Sequence, residues 1–70
     1  MNIGQLVRMA NDIGHFFATE RAHPAAVAGI ANHLQLFWDP RMRRQIHRHL
    51  LDGGEGLEDI VREALAQLNP

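Results

Sequence analysis

Histidine, arginine and clustered glycine are the residue types in this 70-residue chain that could do chemistry. Histidines hold metals or move protons, arginines grip anions, and glycine runs can cradle phosphate. Spacing decides what each can do. His47 and His49 stand two apart, roughly 160° around a helix, so they cannot share one ion. His15, His23 and His33 have no histidine or carboxylate four residues on, although Asp12 and Glu20 are near in sequence. They read as surface or boundary residues, with no metal ligand set among them. His49 is expected to satisfy a backbone carbonyl. Gly53-Gly54-Glu55-Gly56 lacks the preceding strand and the lysine or serine that a phosphate loop needs, and reads as a helix stop and turn. Serine, tyrosine and cysteine are absent and Thr19 stands alone, which removes most routes to nucleophilic catalysis. No catalytic residue is assigned.

The arginines carry more information. Trp38-Asp39-Pro40-Arg41-Met42-Arg43-Arg44 joins a large aromatic, a forced helix break and three guanidinium groups. The residue before a proline is pushed out of the helical region, so a helix entering Trp38 ends near it. Asp39 can cap the next helix and Pro40 suits its first turn. The result is a corner with Trp38 at its apex and arginines just beyond. Arg41, Arg44 and Arg48, spaced i, i+3 and i+7, share one helix face. That face is either simply solvated, or set against a carboxylate-bearing protein surface, or set against nucleic-acid phosphate. Gln45 alone is placed to read base edges, which weakens the nucleic-acid reading.

Helical spacing must position these groups, because strand-like alternation is nowhere sustained. A first helix is expected from a cap at Asn2 to about Ala18. Its apolar residues (Ile3, Leu6, Val7, Met9, Ala10, Ile13, Phe16 and Phe17) cover about half the wheel, wider than one core stripe requires. Met9 and Phe16, at one edge, are assigned to a second contact surface. Pro24 opens a second helix in which Val27, Ile30, Ala31, Leu34, Phe37 and Trp38 share a side and Leu36 lies opposite. Gly29 inside it suits a close helix crossing. A third helix from Pro40 turns Met42, Ile46, His49 and Leu50 inward and stops at Gly53-Gly54. The fourth, about Leu57 to Leu68, carries a stripe of Leu57, Ile60, Val61, Ala64, Leu65 and Leu68, with Glu58 placed to pair with Arg62. The expectation is an all-α, single-domain bundle of about four short helices over residues 1–70.

Composition narrows the partner. Net charge is −1, but residues 39–51 carry +3 (four arginines, one aspartate) and residues 52–70 carry −4 (one arginine, five acids). A basic middle beside an acidic tail argues against a whole-surface nucleic-acid binder and leaves room for one local basic patch. The chain lacks cysteine, a basic-apolar leader and any apolar run near the ~20 residues of a membrane span, so a cytoplasmic location is expected. A core this small rarely yields more than about 3–5 kcal/mol unaided, which favours a partner. Phe37 and Trp38 read first as core residues. Pointing 100° apart, one can fill the core while the other sits at a rim, and beside arginines they have the composition of an interface.

Leu6-Val7-Arg8-Met9-Ala10-Asn11-Asp12-Ile13-Gly14-His15-Phe16-Phe17 resembles the N-terminal segment of the delta subunit of NAD-dependent, molybdenum-containing formate dehydrogenases. The block from Ile30 to Arg43, reading Ile-Ala-Asn-His-Leu-Gln-Leu-Phe-Trp-Asp-Pro-Arg-Met-Arg, is similar to that family's second block, and the end from Leu57 to Leu68 also fits. Departures fall at the Thr19–Ala25 connector and the Asp52–Gly56 turn. The resemblance implies a cytoplasmic accessory subunit without a cofactor of its own. Its partner subunits would carry molybdopterin guanine dinucleotide, iron–sulfur clusters and FMN, and pass electrons from formate to NAD. Docking on the catalytic alpha subunit would support assembly, cofactor insertion or stability. Met9, Phe16, Phe37, Trp38, Arg41, Arg43 and Arg44 are the expected contact residues. The alternative is a small helical DNA-binding or regulatory protein using the basic face of the third helix, and a homodimer is expected to be open to the isolated chain.

Overall fold

The computed structural model describes residues 1–68 and contains four helices: α1 (Ile3–Glu20), α2 (His23–Phe37), α3 (Pro40–Leu51) and α4 (Asp59–Ala66). Starts and stops follow local chemistry. The Asn2 side chain accepts from the Gln5 amide at 3.3 Å, and the Asp39 carboxylate accepts from the Met42 amide at 2.9 Å. Pro24 and Pro40 sit in the first turns of α2 and α3, where no amide hydrogen is needed. Gly53, Gly54 and Gly56 adopt positive φ after α3, a turn that side chains with a Cβ would strain. α4 is shorter than the apolar stripe around it, because Leu57 sits in a turn before the helix and Leu68 beyond its end.

α1 is the central element: it packs against α2, α3 and α4. That accounts for Met9 at the edge of its apolar stripe within the chain itself, whereas Phe16 at the same edge stays 59% exposed. Leu6 and Ala10 are completely buried, and Ile3, Met9, Ile13 and Phe17 lie partly buried against the core. Ile30 and Leu34 from α2, Ile46 from α3, and Val61 and Leu65 from α4 complete the interior. Gly14 lets α1 and α4 close together: a Cβ there would stand 2.6 Å from Val61 Cγ2.

The corner between α2 and α3 is built differently from the expectation. Trp38 is only 5% exposed and belongs to the core, so the indole does not form an outward apex. The helix ends at Phe37, and Trp38 still donates its amide to the Leu34 carbonyl at 3.0 Å. Its side chain therefore keeps the core side of the wheel that it shares with Val27 and Leu34, while its extended ψ of 137° turns the chain that follows. Phe37, which the wheel puts on the core side and which is also among the expected contact residues, is 71% exposed. At the other end of the chain the expected Glu58–Arg62 pair is replaced by a stronger demand. Arg62 donates to the carbonyls of Leu57 (3.1 Å), Gly53 (3.1 Å) and Gly54 (2.7 Å), which the turn leaves without helical partners.

The same glycine turn is held from two further sides. Asn11 of α1 donates to the Gly56 carbonyl at 2.9 Å and accepts from the Glu58 amide at 3.0 Å. His49 donates Nε2–H to the Glu55 carbonyl at 2.8 Å, the backbone role expected for it.

Candidate partner-docking surface

Three facts of local packing create an exposed aromatic run on the outside of the α1–α2 hairpin. Gly29 admits the Phe17 ring so closely that a Cβ would lie 2.6 Å from it. Phe17 therefore packs against α2 at Gly29, and it meets Phe16 edge to face with ring centroids 5.2 Å apart. His33, one helical turn beyond Gly29, continues the run 6.1 Å from Phe17, and Phe37 follows 4.8 Å from His33. These are offset and edge-to-face distances of the attractive kind. Arg21 closes one end, its guanidinium 5.0 Å above the Phe17 ring.

The run is partly spent and partly free. Phe17 and His33 are half-buried, whereas Phe16 is 59% and Phe37 71% exposed. Leu36, 67% exposed, sits beside His33 and Phe37 on the α2 wheel and widens the patch. Large apolar side chains that touch one another at the surface are the pattern of an interaction site.

α3 adds charge at the Phe37 end. Its first turn folds back on the last turn of α2, where Arg43 donates to the carbonyls of Gln35 (3.3 Å) and Trp38. That guanidinium caps α2, in the place where a cation suits a helix C-terminus. Arg41 and Arg44 are exposed, with no hydrogen bond or ion pair among the described residues. Arg48 pairs with Asp52 at 3.3 Å, one turn on.

The residues expected to meet a partner thus separate into groups. Phe16 and Phe37 are brought into one surface, linked by Phe17 and His33. Arg41 and Arg44 stand exposed just past the corner. Met9 is half-buried against the core, Trp38 is interior, and Arg43 is committed to α2. Phe17, His33, Leu36 and Arg21 were not picked out by sequence. The i, i+4, i+8 series Gly29-His33-Phe37, facing adjacent Phe16-Phe17, was the signal available.

Elsewhere Met1 and Leu51 are the other large apolar side chains exposed among the described residues. His23 approaches Glu63 at 2.5 Å and His15 approaches Glu58 at 3.7 Å, both pairs linking α4 to the α1–α2 hairpin at exposed positions. An open groove of about 500 Å³ is lined by Ile3, Val7, Arg8, Asn11, His49 and Glu55, among others. Among the described residues, no three or more of His, Asp or Glu converge as a metal site would require, and no helix is long and apolar enough to cross a membrane.

Fold and surface together define a small all-α protein in which Arg43, Arg62 and His49 bind its own backbone carbonyls, and in which an exposed aromatic run lies on the α1–α2 hairpin with two exposed arginines beyond the corner. The chain belongs to the NADH-dependent formate dehydrogenase delta subunit family, FdsD, whose sequence model matches residues 5–65. No curated protein and no solved structure matches it.

Proposed function

We propose that this delta subunit is a non-catalytic accessory piece of a formate dehydrogenase, and that it docks on the catalytic large subunit to support assembly, cofactor insertion or stability of the enzyme. The observation that carries the reading is the linked run Phe16–Phe17–His33–Phe37, exposed at both ends on the outer face of α1 and α2. Apolar rings of this size keep the face sticky, and a domain of 70 residues has little spare stability to hold them there unless covering them has a use. Membership of a subunit family supports a protein as the cover.

In this reading the redox groups sit in the partner subunits. The chain has no cysteine to hold an iron–sulfur cluster. Its histidines at 23 and 49 face a carboxylate and a carbonyl of the same chain. The nucleic-acid alternative draws on the four arginines of α3, but Arg43 caps α2 and Arg48 pairs with Asp52, which leaves Arg41 and Arg44. Two free cations make a weak phosphate footprint.

Co-expression of the chain with its formate dehydrogenase subunits tests the reading. Phe16→Asp with Phe37→Asp leaves the interior untouched and should strongly weaken co-purification. Retention at wild-type stoichiometry would refute the docking surface.

A further inference from the structure

We infer that the occupant of the aromatic face is an amphipathic helix of about three turns whose end nearest Phe37 carries carboxylates. This rests on the docking reading above and adds the chemistry and direction of what docks. Length comes from the rings. Successive centroids are separated by 5.2, 6.1 and 4.8 Å, each close to the ~5.4 Å pitch of an α-helix. A helix laid along such a run can set one apolar anchor per turn against it, in the i, i+4, i+7 manner of helix-in-groove recognition.

Charge gives the direction. At the Phe16 end, Arg21 is stacked on Phe17, with Glu20 as its chain neighbour and Asp12 one turn before Phe16 on α1. That end is close to neutral, as residues 1–38 are in sum (Arg8 and Arg21 against Asp12 and Glu20). At the Phe37 end the balance is one-sided. Arg43 reaches back to the Gln35 carbonyl, so the first turn of α3 lies against the last turn of α2. Arg41 and Arg44 in those first turns are exposed and unpaired among the described residues, while the nearby Asp39 carboxylate is occupied by the Met42 amide. Guanidinium forks match carboxylates in geometry and can pair with them bidentately at a rim. An occupant with carboxylates at that end gains both attraction and register, and the opposite orientation loses them.

Four variants of the chain, co-expressed with its formate dehydrogenase subunits, separate this inference from the reading beneath it. Retention is measured by co-purification over a salt series. Phe16→Asp with Phe37→Asp should weaken it on the order of 30-fold, the loss of a hot-spot cluster. Arg41→Glu with Arg44→Glu should weaken it about tenfold at low salt and less at high salt, and Arg41→Lys with Arg44→Lys should restore most of it. Asp12→Asn with Glu20→Gln should change little. Loss in the aromatic variant with full retention in the glutamate variant overturns the acidic end and leaves the docking reading standing. Retention in both overturns the docking reading and the inference with it. Mass measurement of the isolated chain covers the remaining occupant: a dimer that the aromatic variant converts to monomer would make a second copy the cover and overturn the inference. Helix content measured on each variant confirms that these exposed substitutions leave the fold intact.

Discussion

Phe37 and Trp38 are neighbours in sequence and opposites in the structure. The first is 71% exposed at the end of an aromatic run, the second 5% exposed within the core. About 100° of helical turn separates them: Trp38, its amide still bonded to the Leu34 carbonyl, lies in the core, and Phe37 lies beside His33 on the outer face. The comparison teaches that the corner is structural and the outer face is free. The corner is sealed twice, by the indole from within and by Arg43 across the last carbonyls of α2. The outer face has no such seal, and its rings rest on one another.

Substitution can break that comparison, and the largest effect belongs to the interior. Trp38→Ala should cost about 3–5 kcal/mol, comparable to the whole stability of a domain this size, and thermal or urea unfolding would show a largely unfolded chain. A Trp38→Ala variant that melts like wild type would mean the indole is not part of the core.

Next comes Gly14→Ala. The added methyl gains about 1 kcal/mol of helix propensity but meets Val61 at 2.6 Å in a packed interior, so we expect a net loss of about 1–2 kcal/mol. The matched change Gly29→Ala meets the Phe17 ring, which is half-buried and can swing outward. Its cost should be smaller, and its mark should instead be a disturbed aromatic run, read as weaker co-purification. Equal destabilisation by both would argue that Phe17 is as fixed as Val61.

Arg43→Ala removes a bridge between α3 and α2 and should cost about 1 kcal/mol, the worth of an ordinary hydrogen-bonded cap. Smallest of all is Phe37→Ala, which should shift stability by no more than about 0.5 kcal/mol while weakening complex formation. That contrast, stability for one aromatic and association for its neighbour, sharpens the division between the two regions.

Much of the fold was legible in sequence, because its signals are local. Asn2 and Asp39 are caps where the chain says they should be, Pro24 and Pro40 open helices, and the glycine turn follows α3. Gly29 permits a close crossing, as its position inside an apolar helix suggested. His49 was also legible, since an inward histidine before a glycine turn has carbonyls to satisfy. The burial of Trp38 was legible too, since the α2 wheel puts it on the side of Val27, Ile30 and Leu34. Its place at a docking apex was not, because an aromatic pair beside arginines has the composition of an interface whichever way each ring points. Nor was the place of Met9, which the width of the α1 stripe assigns with Phe16 to a second surface: Met9 packs on the core and Phe16 alone of the two stays exposed. Arg62 and Arg43 carried different expectations, an i, i+4 ion pair for the first and a partner contact for the second, yet both guanidiniums meet backbone carbonyls in the turn or helix end beside them.

The central claim is that the outer face of α1 and α2 is covered in the enzyme and the corner is not what covers it. Hydroxyl-radical footprinting of the isolated chain and of the chain within its formate dehydrogenase tests this side chain by side chain. We predict that Phe16, Leu36 and Phe37 oxidise readily in the isolated chain and are protected in the complex, while Trp38 stays protected in both. Phe16 and Phe37 reacting as fast in the complex as alone would contradict the account.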